Sequence, residues 1–441
     1  MNQTGMTAQP SDRAGGVPLQ PGTLFALVLW VGVISGLLEA TVTVALRRFP
    51  AISPYHKAAE EVFVVAPVVN LLVMFVAALP LAGLSRFVRR VPQAIFVFGG
   101  LVCIGVYTVL SYPRVVSVIG VAALSVGVAV VSARIASRRS DSFLPFLRRT
   151  WAYALLMAII FGVGALISPG LRERYLAGRL PSAPAGAPNV LVIVVDTLRS
   201  DRLSSAGYAR PTTPNLDRIA REGVLFENAF ATAPWTLPSH NSLLTGRYTY
   251  EHRMDYPVPR REHGFPYLQS VLQGRGYHTA IFTANNYSFS PEYVSEPFLH
   301  SDAHTFSSTA MRTSLGRKLD WQIERRFDVQ LPPPRRAEEI RHNLLRWIGR
   351  SRRGPFFAVV NFFDVHEYRS WPPPAPYASR FGEVDPRSWR GIKGLPPKEE
   401  MDRAYDAAVA YVDQEIGRLF DELRKRGLDR NTLLVITSDH G

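Results

Sequence analysis

Hydrophobic positions are distributed very unevenly along this chain. Five apolar runs occupy its first part, roughly Thr23–Leu46, Val62–Leu84, Ala94–Tyr112, Val115–Ile135 and Thr150–Ser168. Each is close to the ~20 residues a helix needs to cross the hydrocarbon core of a bilayer. Their length and near absence of charge exclude buried helices of a soluble domain, so the pattern predicts five spanning helices. From about Pro188 onward the pattern is that of a soluble α/β domain. A Pro/Ala linker, Leu180-Pro181-Ser182-Ala183-Pro184-Ala185-Gly186-Ala187-Pro188, predicts an extended connection. Three β-branched or aromatic runs follow: 189–195, 356–363 and 432–437. Such continuous apolar runs predict strands of a parallel sheet buried on both faces. Helical patterns lie between them, at Pro214–Glu222 and Met401–Arg426. This alternation predicts a doubly wound, mostly parallel α/β sheet. The predicted organisation is a cytoplasmic tail over 1–22, a membrane region over 23–168, a linker over 169–188 and a soluble domain over 189–441.

Each strand run stops at a polar cluster: Asp196, then Asp364-Val365-His366, then Ser438-Asp439-His440-Gly441. Ligands of doubly wound sheets bind at the carboxyl ends of the strands, so these clusters are the candidate site.

The 441 residues carry a net charge of +14, mostly from arginine. No cluster of basic and aromatic residues marks a nucleic-acid surface. Attraction to anionic lipid headgroups is the expected consequence. Loop charge favours a cytoplasmic N-terminus. That side then holds Arg13, Arg86, Arg89, Arg90, Arg134, Arg138, Arg139, Arg148 and Arg149, against Arg47, Arg48, Lys57, Arg114, Arg172, Arg174 and Arg179 opposite. Five crossings would place the C-terminal domain outside the cytoplasm. Cys103, the single cysteine, lies in an apolar run and excludes an internal disulfide. Glu39 and Asn70 fall inside the first two spans. An intramembrane acid is a candidate functional group, or a carboxylate paired with a neighbouring helix.

Further motifs occur in order along the soluble part. They are Thr213-Pro214-Asn215-Leu216-Asp217, Phe226-Glu227-Asn228-Ala229, Thr236-Leu237-Pro238-Ser239-His240, Leu243-Leu244-Thr245-Gly246-Arg247 and Gly276-Tyr277-His278-Thr279-Ala280. With the Asp196 strand, the His366 segment, Tyr405–Leu423 and the Ser438–Gly441 cluster, they resemble the sulfatase branch of the alkaline-phosphatase superfamily across nearly all of residues 189–441. Each motif alone is weak; their order and spacing together are specific. Family members continue beyond the position of Gly441, so the resemblance implies a catalytic domain that is truncated here.

The resemblance implies a hydrolase or transferase acting on phosphate or sulfate esters with one divalent metal ion. It assigns Asp196, Asp439 and His440 as metal ligands and Thr236 as both ligand and nucleophile. Carboxylates with an imidazole favour Mn or Zn over Ca or Mg. Thr236 stands where sulfatases carry a Cys or Ser that becomes formylglycine. Oxidised Thr would be a ketone, which closes the aldehyde route. Its hydroxyl can act directly as a metal-activated nucleophile, as in the superfamily's phosphoglycerol and phosphoethanolamine transferases. Thr236 also precedes Pro238 in a pattern that suits the first turn of a helix, so an N-cap role is the alternative.

His240 replaces the family Arg that steadies the nucleophile. It is expected either to contact the ester or to lie exposed on its helix. His366 matches the family His that meets the substrate or leaving group. Arg247 is expected to bind substrate or to brace the loop, and Asn286 to donate to an ester oxygen. Arylsulfatases carry Lys-x-His where this chain has Ala284 and Asn286, which argues against sulfate-ester cleavage. The expected substrate is a membrane lipid or cell-envelope ester, reached from the outer face of the inner membrane. A true sulfatase and a non-catalytic receptor with a degenerate sulfatase fold are the alternatives.

Overall fold

The computed structural model describes residues 19–46, 61–88, 91–111, 117–255, 264–285, 297–303, 306–311, 313–327, 334–350, 354–384, 389 and 396–441. Asn286 and the loop charges Arg13, Arg47, Arg48, Lys57, Arg89, Arg90 and Arg114 lie outside the described residues. The chain forms two compact units, one of residues Met1–Ile167 with Thr309–Lys318, the other of Ser168–Ser308 with Leu319–Gly441.

The first unit is helical: α1 (Pro21–Leu46), α2 (Val62–Ser85), α3 (Gln93–Leu110), α4 (Val118–Arg138) and most of α5 (Ser140–Ala177). All five are long and apolar enough to cross a membrane. A Cβ on Gly36 would collide with the Pro67 backbone, so glycine is what allows α1 and α2 to cross closely. Glu39, Asn70, Thr108 and Ser35 are buried together in this bundle. Asn70 Nδ2 donates to Glu39 Oε2 at 2.7 Å, and Thr108 Oγ1 donates to Asn70 Oδ1 at 3.0 Å. Here the carboxylate is paired with a neighbouring helix.

The fifth helix runs longer than its apolar core suggests. It continues through Pro169 and Gly170 to Ala177, into the segment 169–188 assigned to the linker, ahead of the stretch 180–188 expected to be extended. Proline usually ends a helical reading, but tertiary contacts hold the last turns in place. In the second unit, Glu173 of α5 lies 2.8 Å from His300 Nδ1 and accepts from Trp347 Nε1 at 3.2 Å.

The remaining elements are β1 (Asn189–Val195), α6 (Pro214–Arg221), α7 (Thr236–Thr245), α8 (Thr249–His252), α9 (Leu268–Gln273), β2 (His278–Thr283), β3 (His300–Asp302), α10 (Phe306–Ala310), α11 (Ser314–Phe327), α12 (Ala337–Ile348), β4 (Phe356–Phe362), α13 (Lys398–Lys425) and β5 (Thr432–Ser438). The five strands form one parallel sheet in the order β3-β2-β4-β1-β5. Alternate residues of β1 point to opposite faces. Leu191, Ile193 and Val195 pack on one side with α12 and α13. Val192 and Val194 pack on the other with Leu244 and Tyr267. Helices on both faces make the sheet doubly wound. Three strands are the expected ones; β2 and β3 are additional. Central β1 and β4 are buried, whereas β5 is an edge strand with Leu433 56% exposed, so the third run is not covered on both faces.

Candidate metal and nucleophile site

The register of the sheet assembles the site. Val195 pairs with both Phe362 and Ser438, so β1, β4 and β5 release their next residues at one level. Asp196 and Asp439 leave adjacent strand ends there, and both are almost fully buried. Asp196 Oδ2 accepts from Asn285 Nδ2 at 3.0 Å and Asn361 Nδ2 at 3.3 Å. Asp439 Oδ1 accepts from the backbone N–H of Thr197 at 3.1 Å and of His440 at 2.9 Å. The other oxygen of each carboxylate, Asp196 Oδ1 and Asp439 Oδ2, is buried without a hydrogen-bond partner.

His440 Nε2 lies 3.5 Å from Asp439 Oδ2, 4.0 Å from Asp196 Oδ1 and 3.3 Å from Thr236 Oγ1. One ligand atom each from Asp196, Asp439 and His440 falls within 4.8 Å of the others. Two buried carboxylate oxygens that receive no hydrogen bond among the described residues are costly unless something positive joins them. These residues therefore fit a divalent cation, and the Thr236 hydroxyl borders the same space.

Thr236 is the first residue of α7, and Trp235 before it supplies no side-chain cap. Pro238 suits the first turn, where its missing N–H costs nothing. Two contacts hold this helix to the carboxylates. Ser239 Oγ donates to the Asp439 carbonyl at 2.7 Å. His240 Nδ1 sits 2.9 Å from the Thr236 carbonyl and 3.5 Å from Asp439 Oδ2. A carbonyl only accepts, so Nδ1 carries the proton in that contact. His240 is 1% exposed, which removes one of the two alternatives expected for it, an exposed residue on its helix. Its i−4 bond turns it inward, under the nucleophile position.

The turn after β1 is strained in a useful way. Thr197 has φ of 59°, a left-handed conformation that costs a β-branched residue of order 1–3 kcal/mol. That conformation aims its N–H at Asp439. Tyr405 of α13 clamps the turn, donating to the Thr197 carbonyl at 2.7 Å and accepting from Arg199 N at 2.9 Å.

His366 lies beyond β4, 40% exposed, with Nδ1 2.9 Å from Glu367 Oε1. Its ring stacks on Phe363 at 4.3 Å. Burial alone would lower its pKa, but the Glu367 hydrogen bond and the charges of Asp196 and Asp439 outweigh it and leave the imidazole above its usual value. Asp364, in the same segment, turns away and accepts from Ala337 N at 2.9 Å, which caps α12. Burial pushes its carboxyl up to about 7 against the opposing Arg336 charge.

Arg247 is not brought into this cluster. It follows α7 at the end opposite Thr236, ~15 Å away at 1.5 Å per residue. Its guanidinium lies over Phe265 at 4.8 Å and meets Glu251 at 3.4 Å, contacts that brace its loop. Ala284 is buried and offers no polar group. Asn361 was not singled out from sequence, although a lone Asn in a fully apolar strand must find a polar partner. Ser239 and the Thr197 turn carried no comparable signal.

The fold and this cluster define an α/β protein with two buried carboxylates and an imidazole beside a helix-borne hydroxyl. The sulfatase family model matches residues 188–441, more than half of the chain, and the protein belongs to the sulfatase family. It is 25% identical over 306 residues to a sulfatase of Formosa agariphila, covering 58% of this chain and 59% of that one. It is 26% identical over 303 residues to an arylsulfatase of Clostridium perfringens, covering 58% and 63%. The chain thus spans about three-fifths of the length of these relatives. Among solved structures, the phosphonate monoester hydrolase of Agrobacterium radiobacter is similar with TM-score 0.42 and 22% identity, covering 58% of this chain and 62% of that one.

Proposed function

We propose that this protein is a membrane-anchored, metal-dependent enzyme that transfers phosphoryl groups from a lipid or cell-envelope ester, with Thr236 as nucleophile. The observation that carries this reading is the Thr236 hydroxyl 3.3 Å from His440 Nε2, beside two buried carboxylate oxygens with no hydrogen-bond partner. Asp196, Asp439, His440 and Thr236 would hold the ion, with Mn or Zn suited to this mixed set. Such an ion lowers the pKa of a coordinated hydroxyl and screens the approach to an anionic ester.

Thr236 Oγ1 gives up its proton to water and forms a bond to phosphorus while the bond to the leaving alcohol breaks. His366, whose pKa is raised, donates the proton that the leaving oxygen needs. The uncapped start of α7 points amides at the transferring group. His240 holds the first turn of α7 against Asp439. Water or an acceptor alcohol then takes the group from phospho-Thr236. The five apolar helices and the arginine-rich loops support an inner-membrane, multi-pass anchor with the second unit outside the cytoplasm.

The test uses the protein loaded with Mn or Zn. It compares cleavage of an aryl phosphodiester and an aryl sulfate by wild type and Thr236→Ala. Phosphodiester cleavage lost in the variant is the expected result. Sulfate cleavage that survives Thr236→Ala would make another group the nucleophile and the protein a sulfuric ester hydrolase. A wild-type protein that binds no metal and cleaves neither ester would favour a receptor role.

A further inference from the structure

We propose that Thr283, the last residue of β2, is a positioning residue for the cation site. Its hydroxyl fixes the two asparagines that decide which oxygen of Asp196 is left for the ion. The inference rests on the metal-site reading above and deepens it, since Thr283 acts through Asn361 and Asn285 rather than as a ligand.

Thr283 and Asn361 are register partners across the parallel pair β2 and β4. Residues two apart in a strand share a face of the sheet. Ile281 and Val359, two positions before them, pack on the side of Leu244 in α7. Both polar side chains therefore stand on the α7 side, the side from which Thr236 is presented. Thr283, Asn361, Asn285 and Asp196 are all buried there. Water does not compete for their hydrogen bonds, so each group must be satisfied by the others.

The proton inventory fixes the direction of each bond. An ionised Asp196 only accepts, so Asn361 turns its Nδ2 to Oδ2, at 3.3 Å. Asn361 Oδ1 then faces β2, where Thr283 Oγ1 donates to it at 3.1 Å. The same hydroxyl oxygen accepts from the Asn285 backbone N–H at 3.0 Å. Asn285 in turn donates its Nδ2 to Asp196 Oδ2 at 3.0 Å. One hydroxyl thus stands behind both donors to Oδ2. The other acceptor in reach of its proton, the Asn285 carbonyl, is farther at 3.4 Å.

Two features keep the hydroxyl in place. Branching at Cβ restricts χ1 of threonine. The Thr283 carbonyl accepts from Arg335 Nη2 at 2.6 Å, and the same nitrogen holds the Asp302 carbonyl of β3 at 2.6 Å. Valine has the same shape and would spare the desolvation of a hydroxyl, so packing alone does not call for threonine here. What the hydroxyl adds is direction. Without it the Asn361 amide loses its anchor on β2 and turns freely, and Asp196 no longer presents Oδ1 alone.

Metal affinity and stability are measured separately on the detergent-solubilised protein after stripping with chelator. Calorimetric titration with Mn or Zn gives the affinity, and urea unfolding of the metal-free protein gives the stability. Thr283→Val and Thr283→Ala both lack the hydroxyl and are expected to weaken affinity by roughly 10-fold, the low end for groups that orient a ligand. Thr283→Ser keeps the hydroxyl and is expected to restore it. Combined with Asn361→Ala, the Thr283→Val loss is expected not to multiply, because the hydroxyl works through that amide. Valine and alanine variants that bind metal as wild type does, or that lose only urea stability, would overturn the inference and leave the metal site standing. Losses that multiply in the double variant would make the two residues independent and overturn it as well. A wild-type protein that binds neither metal would remove the metal-site reading itself, and this inference with it.

Discussion

Asp196 and Asp439 each leave one buried oxygen without a hydrogen bond, an arrangement that a neutral interior penalises. Burial, and then the charge of Asp439, push Asp196 above its ordinary value of 3.8. Above pH 3.8 the metal-free folded chain therefore binds more protons than the unfolded chain, and its stability falls as pH rises toward the raised value. A divalent ion supplies the missing positive charge, and protons compete with it for the same oxygens. The gain in Tm on adding Mn or Zn to chelator-stripped protein should grow as pH is raised through this window. A gain that is constant or shrinks with pH would remove Asp196 from the ligand set. Asn361 and Asn285 hold the other Asp196 oxygen, so the carboxylate presents Oδ1 in one orientation. Asn361→Ala should weaken metal affinity by roughly 10–100-fold while leaving the fold intact, read by metal titration. The candidate ligands were legible in the sequence as motif positions. The asparagine behind them was legible only as an anomaly, because a polar residue in a buried strand announces a need for a partner without naming it.

Helices in this protein are completed by other elements. Pro214 starts α6 as the pattern predicted, but the cap comes from α13. Asp413 Oδ2 accepts from Asn215 N at 3.1 Å and Nδ2 at 2.9 Å, and Oδ1 accepts from Leu216 N at 2.8 Å. Asp413 is 2% exposed, so these bonds have little competition from water. Asp413→Ala strands several amides at once and should destabilise the second unit by roughly 2–3 kcal/mol in urea unfolding. Asp413→Asn, which keeps an acceptor, should lose less; equal losses would assign the effect to packing. Gly417, one turn on, is required because a Cβ there would collide with Asn215. The motif Thr213-Pro214-Asn215 is thus half of a docking joint whose other half lies almost 200 positions later. Similarly, α5 overruns Pro169 because Glu173 is held by His300 and Trp347, contacts no local pattern encodes.

At the scale of the molecule, hydropathy alone determined that the chain has a helical apolar part and an α/β part, since both periodicities are properties of local sequence. The apolar runs ending in Asp196, the His366 segment and Asp439 also determined that these polar groups gather at the carboxyl edge of the sheet. The polar-rich β2 and the three-residue β3 escaped, because short strands with His, Thr and Ser lack the apolar signal and exist by pairing with β4 and with each other. Tertiary structure alone decided that residues Thr309–Lys318, deep in the soluble-looking half, belong with the apolar helices, where Glu39 holds Ser314. It alone turned His240 inward and sent Arg247 away from the cluster. Sequence determines which groups are available and roughly where each element begins. Which groups meet depends on strand order, register and helix docking, and those are set by burial and hydrogen-bond satisfaction between residues far apart in the chain.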